Sequence, residues 1–429
     1  MQTLKKARVA SFAAVLFACI VGLSGCSQSS TSGTTSGSSA SSANPSGATA
    51  NVIKIGVDLP LSGADASDGV PTQNGVKLAV IDANKRNLVP GFTLQANILD
   101  DAVNGVHDPS QGVKNVQALA NDAAVLGIVG PFNSNVAKAE IPQSNSMQIA
   151  LVAPSTTNDT LTRGPEAAGL RRTHPDQITF FRVCATDSIQ GPAGATYEYR
   201  TLKLRRAYVI DDNETYGKGV ADEWAATFQK LGGTILGHDH ITKGQQDFHA
   251  LLTRAGANHP DVVFYGGTTS TGGGLVRKQM GDVGLGSVTF AGADGIRNDE
   301  FLKIAGSTAN DVYATVASVN AATLPAAKSF LSDYQAQFNQ PVGSYSAAGY
   351  ASAMVLIQAI TAATKANGGK MPTRDQVLAQ LRNAKSFNSI MGTFSFDANG
   401  DTTNKIISIY EAVNDQWKFV TQQSFAGAQ

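Results

Sequence analysis

Four side chains in predicted loops have the chemistry to hold a molecule that carries both a positive and a negative charge. The hydroxyls of Ser134 and Thr157 stand where helices are predicted to begin, and a hydroxyl together with the helix dipole suits a carboxylate. Farther along the chain, Asp294 offers a carboxylate to an ammonium, and Tyr216 offers an aromatic ring. A zwitterion fits this combination. Taken singly, each residue is equally consistent with a helix cap, a packing contact or a turn.

The elements that must position these residues alternate between strand-like and helix-like segments from residue 52 onward. This alternation predicts repeated βαβ units, in which ligands bind beyond the carboxyl ends of the strands. The predicted strands are 52–57, 94–99, 125–129, 149–152, 207–210, 234–240, 262–265, 288–291, 312–316, 392–396, 405–413 and 417–421. Helices are expected to dominate 326–383, where an Ala-rich stretch is typical of a core helix.

The length of this body indicates more than one ordinary core. The predicted fold class is therefore α/β, with two Rossmann-like lobes, each a mostly parallel sheet with helices on both faces. Two such lobes with a late return of the chain predict a multi-strand hinge and a cleft between them. The four polar loops lie at the strand ends that would face this cleft.

The N-terminus has the layout of a secretory signal peptide. A few basic residues precede an apolar run at 9–23, which is too short for a membrane span. Residues 23–26 read Leu-Ser-Gly-Cys and resemble the bacterial lipobox, in which the cysteine is lipidated. We therefore expect a lipoprotein signal peptide at 1–25, lipidation of Cys26 and a disordered Ser/Thr/Gly linker over 26–50. The expected location is extracytoplasmic, anchored to the cell membrane; the alternative is an ordinary signal peptide with an incidental cysteine.

Charge and motif content argue against several other classes of protein. The 33 basic and 33 acidic residues cancel and form no basic stripe, so nucleic acid is not an expected partner. The motifs of serine hydrolases, zinc proteases, phosphate-binding loops and dinucleotide-binding loops are missing from the sequence. We expect no enzymatic activity and no cofactor.

Histidines and one cysteine remain to be explained. His238 and His240 flank Asp239 on a predicted strand, so both imidazoles would point the same way. A metal site there is one interpretation, and exposed polar histidines are the simpler one, so no metal is assigned. Cys184 has apolar neighbours and is expected to be a buried structural thiol.

The chain resembles the type I periplasmic binding proteins of the leucine/isoleucine/valine-binding family, which are substrate-binding subunits of ABC importers. The resemblance covers 52–420 and depends on motifs that occur together in one order. These motifs are Ile53-Lys54-Ile55-Gly56, Leu61-Ser62-Gly63, Val129-Gly130-Pro131, Ala153-Pro154-Ser155-Thr156-Thr157-Asn158, Phe181-Arg182, Asp187 with Gln190-Gly191-Pro192, Tyr216-Gly217, Tyr265-Gly266-Gly267 and Gly292-Ala293-Asp294-Gly295. The resemblance implies a first lobe of 52–182 plus 317–391 and a second lobe of 183–316 plus 392–420.

The resemblance also implies roles for the site residues. Ser134 and Thr157 would bind the ligand carboxylate. The backbone carbonyl of Ser155 would accept a hydrogen bond from the ammonium, with Asp294 as its counter-ion. Tyr216 would close over the ligand from the second lobe, and hinge closure would bring the two halves of the site together.

Two further positions concern the ligand's side chain. Phe132 would lie beside the side-chain pocket, and Thr268 stands where family members carry a large aromatic residue. Leucine-type specificity therefore does not follow. The resemblance implies a small-molecule ligand, an ABC permease as partner, a lipid-anchored monomer and transport of a branched-chain or related amino acid. The alternatives are a ligand-sensing lipoprotein of the same fold and a binder of an amide or urea.

Overall fold

The computed structural model describes residues 51–425. The predicted signal peptide, the lipidation of Cys26 and the linker at 26–50 lie outside the described residues. Everything below therefore concerns the body that follows the linker.

Helices connect most of the strands, and a few of them begin at a residue whose side chain caps the helix backbone. The α-helices are α1 (Ala66–Lys85), α2 (Pro109–Asn121), α3 (Ser134–Met147), α4 (Gly164–Leu170), α5 (Asp187–Arg200), α6 (Thr215–Lys230), α7 (His249–Gly256), α8 (Gly273–Met280), α9 (Asp299–Ala305), α10 (Lys328–Phe338), α11 (Ser346–Ala366) and α12 (Arg374–Asn383). Helix α2, for example, has proline at its first position, and the Asp108 side chain accepts a hydrogen bond from the Gln111 backbone at 2.8 Å. That arrangement satisfies an amide that the helix leaves unpaired.

Five parallel strands form the sheet of the first lobe, in the order β2-β1-β3-β4-β5. They are β1 (Val52–Leu59), β2 (Thr93–Asp100), β3 (Val125–Val129), β4 (Ala150–Ala153) and β5 (Phe180–Arg182). One face packs against α1 and α11, and the other against α2 and α3. Because both faces are covered, the central strands are nearly continuous apolar runs.

Seven strands form the sheet of the second lobe, in the order β12-β11-β10-β9-β8-β6-β7. They are β6 (Arg206–Asp211), β7 (Thr234–His240), β8 (Val262–Gly266), β9 (Thr289–Gly292), β10 (Val312–Val316), β11 (Ile406–Val413) and β12 (Gln416–Ser424). The strands β6 to β10 pair in parallel, whereas β11 and β12 join antiparallel at one edge. Helices α5 and α6 cover one face, and α7, α8 and α9 cover the other. The predicted architecture of two mostly parallel sheets, each between layers of helices, is confirmed.

Helix α11 is long and apolar enough to cross a membrane by length and composition, and it is the one such helix among residues 51–425. Most of its residues are buried against α1 and the first sheet. This burial agrees with the prediction of a core helix.

A short antiparallel hairpin corrects part of the predicted C-terminal region. Residues 392–396 were expected to form a strand of the second lobe. Instead Gly392–Phe394 pairs with Phe387–Ser389, a strand that the sequence did not indicate, and the pair is separate from the seven-stranded sheet. The buried rings of Phe387 and Phe394 pack into the same core as α11, which holds the hairpin against the first lobe.

The described chain passes between the two sheets three times, after β5, after β10 and before β11. The first sheet therefore receives its covering helices α10 and α11 from a later part of the chain than its strands. These three connections lie side by side, and Arg182 at the end of β5 forms a bridge to Thr156 and Asp401 there.

Candidate ligand site between the two lobes

The predicted site residues of the first lobe lie at the carboxyl ends of its central strands. Ser134 is the first residue of α3, a few residues after β3, and Thr157 follows β4. Both are fully buried. The Ser134 Oγ accepts a hydrogen bond from the Asn158 backbone at 3.4 Å, so the two strand-end loops are joined at this point.

Two hydroxyls in this loop are buried. The Oγ1 of Thr156 has no hydrogen-bond partner among the described residues, and the Oγ1 of Thr157 lies beside the carboxyl of Asp187. Burying a hydroxyl without a partner costs roughly 1–3 kcal/mol, so such groups are rare unless something else completes them. At the end of a parallel strand they are donors available to a ligand oxygen.

Ser155 and Phe132 form the wall between these hydroxyls and the core. The Ser155 Oγ donates a hydrogen bond to the Phe132 carbonyl at 2.8 Å, so the side chain of Ser155 is occupied by its own lobe. The Phe132 ring meets the Tyr345 ring edge to face, with centroids 5.5 Å apart. Tyr345 is buried, and its hydroxyl lies beside the carboxyl of Asp294. An aromatic wall of this kind suits the apolar part of a small ligand.

The second lobe contributes a buried carboxylate that accepts hydrogen bonds from two polar side chains. Asp294 follows β9, and its Oδ1 accepts hydrogen bonds from the Tyr216 hydroxyl at 3.1 Å and from the Gln190 side chain at 2.6 Å. The Tyr216 oxygen in turn accepts from the Gly295 backbone at 2.9 Å. Burial raises the pKa of Asp294 to about 6, so the carboxyl is still largely ionised at pH 7. A buried negative charge of this kind favours a positively charged neighbour.

A second buried carboxyl, Asp187, begins helix α5. Its Oδ2 accepts a hydrogen bond from the Asn158 side chain at 3.2 Å, while its Oδ1 lacks a partner among residues 51–425. Burial raises the pKa of Asp187 well above its usual value. Asp187 and Asp294 are thus the acidic groups that the second lobe brings to the site, and Asp187 lies directly beside Thr157 of the first lobe.

Three of these residues were not assigned a role from sequence. Asp187 and Gln190 belong to a motif that supported the family resemblance, so their spacing was a signal that went unused. Tyr345 had no signal, because it reaches the site only through the packing of α11 against the first sheet.

Thr268 occupies a different position from the other predicted residues. It is buried at the end of β8, and its hydroxyl forms hydrogen bonds within its own loop, with Ser270 at 2.9 Å and Thr271 at 3.2 Å. The side chain therefore stabilises the loop, and a ligand contact by Thr268 stays a prediction.

Polar contacts join the two lobes on both sides of the site. The Asn158 side chain donates to the Thr215 carbonyl at 2.7 Å. The Asn298 side chain donates to Asp68 at 2.7 Å. Helix α6 approaches closely at Gly219, where a Cβ atom would lie 2.2 Å from the Asn158 amide nitrogen. The structure is therefore a closed arrangement in which the lobes touch around the site.

A buried histidine forms an electrostatic contact between the lobes. His107 of the first lobe lies 2.8 Å from Asp65 through Nδ1 and 2.7 Å from Glu214 of the second lobe through Nε2. Burial alone would lower the pKa of His107, but the two carboxylates raise it to about 10. His107 is thus a cation at neutral pH, held between carboxylates of both lobes.

Cys184 lies close to the site but is enclosed by protein. The thiol contacts the Thr156 carbonyl at 3.3 Å, and burial raises its pKa. A buried thiol with a raised pKa is a poor nucleophile, which agrees with the structural role predicted for it.

Comparison with known proteins gives one consistent group. A family model described as "Periplasmic binding protein" matches residues 52–416. The Leu/Ile/Val-binding protein BraC3 of Rhizobium johnstonii is 31% identical over 362 residues, which cover 84% of this chain and 91% of that protein.

Solved structures share the fold at lower sequence identity. The branched-chain amino acid transporter substrate-binding protein LivJ of Streptococcus pneumoniae, in complex with isoleucine, has a TM-score of 0.74 at 24% identity. That match covers 87% of this chain and 99% of the other. A solute-binding protein of R. palustris in complex with benzoate has a TM-score of 0.71 at 18% identity, covering 88% and 98% of the two chains.

Proposed function

Since the chain belongs to the periplasmic binding protein family, we propose that it is the extracytoplasmic substrate-binding protein of an ABC importer and binds an α-amino acid between its lobes. Members of this family are substrate-binding proteins of transporters and not enzymes, as the missing catalytic motifs predicted. The observation that carries the choice of an amino acid is the combination of buried hydroxyls from one lobe with the buried, largely ionised carboxylate of Asp294 from the other.

The two sides of the site fit the two charges of a zwitterion. Ser134, at the start of α3, and Thr157, in the loop after β4, would bind the ligand carboxylate. The dipole of α3 would favour its negative charge. Asp294, held in place by Tyr216 and Gln190, would receive the ammonium. A neutral ligand would leave Asp294 as a buried charge without a positive partner, which is costly.

Ligand binding would be coupled to closure of the lobes. Each lobe holds half of the polar groups, so a ligand gains its full set of contacts only when both halves meet. A ligand with more contacts in one state shifts the population toward that state, and binding proteins of this kind close by a hinge. The closed surface would then be recognised by the permease.

The aromatic wall of Phe132 and Tyr345 supports an apolar side chain on the ligand, and the names of the relatives point to branched-chain amino acids. The family resemblance implies a large aromatic residue at the position of Thr268, so the smaller threonine would suit a related ligand side chain instead. Cys26 and the linker would hold the protein at the outer face of the membrane as a monomer.

The test is a calorimetric titration of the purified protein with the branched-chain and other amino acids, and with benzoate, urea and small amides as non-zwitterions. We expect tight binding of one class of α-amino acid, and a loss of about 3–5 kcal/mol in Asp294→Asn, because the substitution removes one partner of a buried charge pair. The exposed Asp299 lies a few residues away, and Asp299→Asn is the matched control that should bind normally.

Two outcomes would contradict the proposal. Binding of benzoate or urea in preference to every amino acid would refute the zwitterion site while leaving the fold intact. Equal amino-acid affinity in Asp294→Asn and in the unsubstituted protein would refute the assigned role of Asp294.

A further inference from the structure

A second cluster of chemically capable side chains lies on the outer part of the second lobe. His238 Nε2 is 2.6 Å from Asp211 Oδ2, and His240 Nδ1 is 2.7 Å from Asp211 Oδ1. One atom from each of the three residues lies within 4.8 Å of the other two. The two imidazoles therefore meet on one carboxylate, with ring centroids 5.2 Å apart.

The sheet explains why these side chains come together. Strand β7 is at the edge of the seven-stranded sheet, and residues two apart on a strand point to the same face. His240 stands directly opposite Asp211, the last residue of the neighbouring parallel strand β6. The intervening Asp239 points the other way, toward Tyr208 and Arg254. The cluster is thus built on two adjacent strands, which makes it more rigid than a site on loops.

The carboxylate of the cluster is fixed in place by burial and by a backbone hydrogen bond. Asp211 is fully buried, and its Oδ1 also accepts a hydrogen bond from the Asn213 backbone at 2.8 Å. The histidine side chains are 25% and 47% exposed. A fixed inner ligand with two accessible outer ligands leaves an entry path from solvent and open positions for water.

The donor set matches a borderline divalent metal. Two imidazole nitrogens with one carboxylate oxygen are ligands that Zn²⁺ and the related first-row ions bind, with bonds of about 2.0–2.2 Å. Ligand atoms around a tetrahedral ion of that size lie about 3.4 Å apart. The present N–O separations of 2.6 and 2.7 Å would widen by less than about 1 Å, which small side-chain rotations can supply.

We propose that Asp211, His238 and His240 form a divalent transition-metal site that takes Zn²⁺, with water completing the coordination. This proposal is independent of the amino acid site, because none of its three residues belongs to the group around Asp294. The metal would link the edge strand β7 to β6, and with it the start of the loop that carries Glu214 and leads into α6 at Tyr216.

The test is to remove bound metal from the purified, tag-free protein with a chelator and then to titrate it with Zn²⁺. Calorimetry and equilibrium dialysis measure the binding. We expect one Zn²⁺ per chain with a dissociation constant of about 1 µM or below. His238→Ala and His240→Ala should each weaken Zn²⁺ binding by at least about tenfold, because each removes a direct metal ligand. Loss of a residue that only hydrogen-bonds to a metal ligand already weakens metal binding by about tenfold or more. His249→Ala is the matched control, because His249 is exposed and also lies beside carboxylates, at Asp247 and Asp282.

A second readout separates loss of the metal from loss of the fold. Saturating Zn²⁺ should raise the melting temperature of the unsubstituted protein and of His249→Ala, since a ligand that binds the native state stabilises it. The same addition should leave the melting temperatures of His238→Ala and His240→Ala unchanged. Absence of stoichiometric binding, or equal binding in both variants and the unsubstituted protein, would overturn the site.

Discussion

At the scale of single residues, the first lobe contains a buried group of carboxyls that does not face the ligand site. Asp58, Asp101 and Glu140 are fully buried. The carboxyls of Asp58 and Glu140 contact each other, and both side-chain oxygens of Asp101 lack a hydrogen-bond partner among the described residues. Burial raises the pKa of Asp58 to about 6 and raises the pKa values of Asp101 and Glu140 well above their usual range. These groups are therefore protonated more readily in the folded protein than in the unfolded chain.

The sign of the pH effect follows from these raised pKa values. The folded state holds protons that the unfolded chain releases above its ordinary carboxyl pKa of about 4. The stability linked to this cluster is therefore fully present below about pH 4 and is lost as the pH rises through the folded pKa values, which for Asp58 lies at about 6.

Glu140→Gln tests this assignment, because an amide keeps the shape and cannot ionise. We expect its free energy of unfolding to exceed that of the unsubstituted protein more at pH 8 than at pH 4, by about 1.4 kcal/mol for each unit of pKa shift removed. Urea denaturation at the two pH values measures the difference. Glu300→Gln, at a surface pair with Lys303, is the control; a pH-independent difference for Glu140→Gln would argue against a titrating cluster.

At the scale of elements, the end of strand β5 secures the loop of the ligand site. The Arg182 side chain is completely buried and donates to Asp401 at 2.7 Å and to the carbonyls of Thr156 and Asn158 at 3.0 and 2.8 Å. The same Asp401 also receives a hydrogen bond from Arg163 at 2.9 Å. One guanidinium thus joins β5, the loop after β4 and the segment that precedes β11.

Arg182→Ala should destabilise the protein by about 3–5 kcal/mol, because it leaves the buried carboxylate of Asp401 without its inner partner. Arg163→Ala is the matched comparison, since Arg163 binds the same carboxylate from a side chain that is 40% exposed, and a solvent-exposed pair contributes about 0–1 kcal/mol. Chemical denaturation of the two variants gives both values. Similar losses of unfolding free energy in the two variants would mean that burial does not decide the strength of this bridge.

The elements were more predictable than the contacts between them. Strands such as β3 stand out because they are short apolar runs between turn residues, and the regular βα alternation then places polar loops at one edge of each sheet. The first strand of the hairpin, Phe387–Ser389, was not predicted because it is three residues long and is stabilised by packing on α11, and the second strand was predicted but assigned to the wrong lobe. Tyr345 was also missed because packing of α11 brings it to the site from a distant part of the sequence.

At the scale of the whole molecule, closure depends on charges that lie at the rim of the site. His107 is packed between Asp65 and Glu214. Its positive charge also acts on Asp101 and Asp212, where it opposes the rise in pKa that burial causes. The Lys243 side chain also reaches Glu214, at 3.4 Å. This group lies across the boundary between the lobes and therefore favours the closed state.

The contribution of the His107 ion pairs to closure should be constant over a broad range of pH. The pKa of His107 is raised to about 10, so its contribution is fully present below its ordinary value of about 6.5 and is lost as the pH rises through 10. The pKa values of Asp65 and Glu214 are lowered, so their contribution is present above about pH 4 and is lost at more acid pH.

Glu214→Gln should open the ligand-free protein, because it removes a charged hydrogen bond worth about 1.5–3 kcal/mol. The expected result in small-angle X-ray scattering is a larger radius of gyration at pH 7, accompanied by weaker amino-acid binding. Lys243→Ala, which removes a half-exposed partner of the same carboxylate, is the control and should change neither quantity much. A ligand-free Glu214→Gln protein as compact as the unsubstituted one would refute the role of this contact in closure.

The position of β11 in the second sheet has a consequence for the synthesis of the chain. Strand β10 pairs with β11 across about a hundred residues of sequence, with Val312 opposite Ala412. A nascent chain that has emerged only as far as α12 still has an open edge on β10, and long-range pairing of this kind is slow. The sheet of the second lobe therefore stays incomplete until β11 has been synthesised, about a hundred residues after β10.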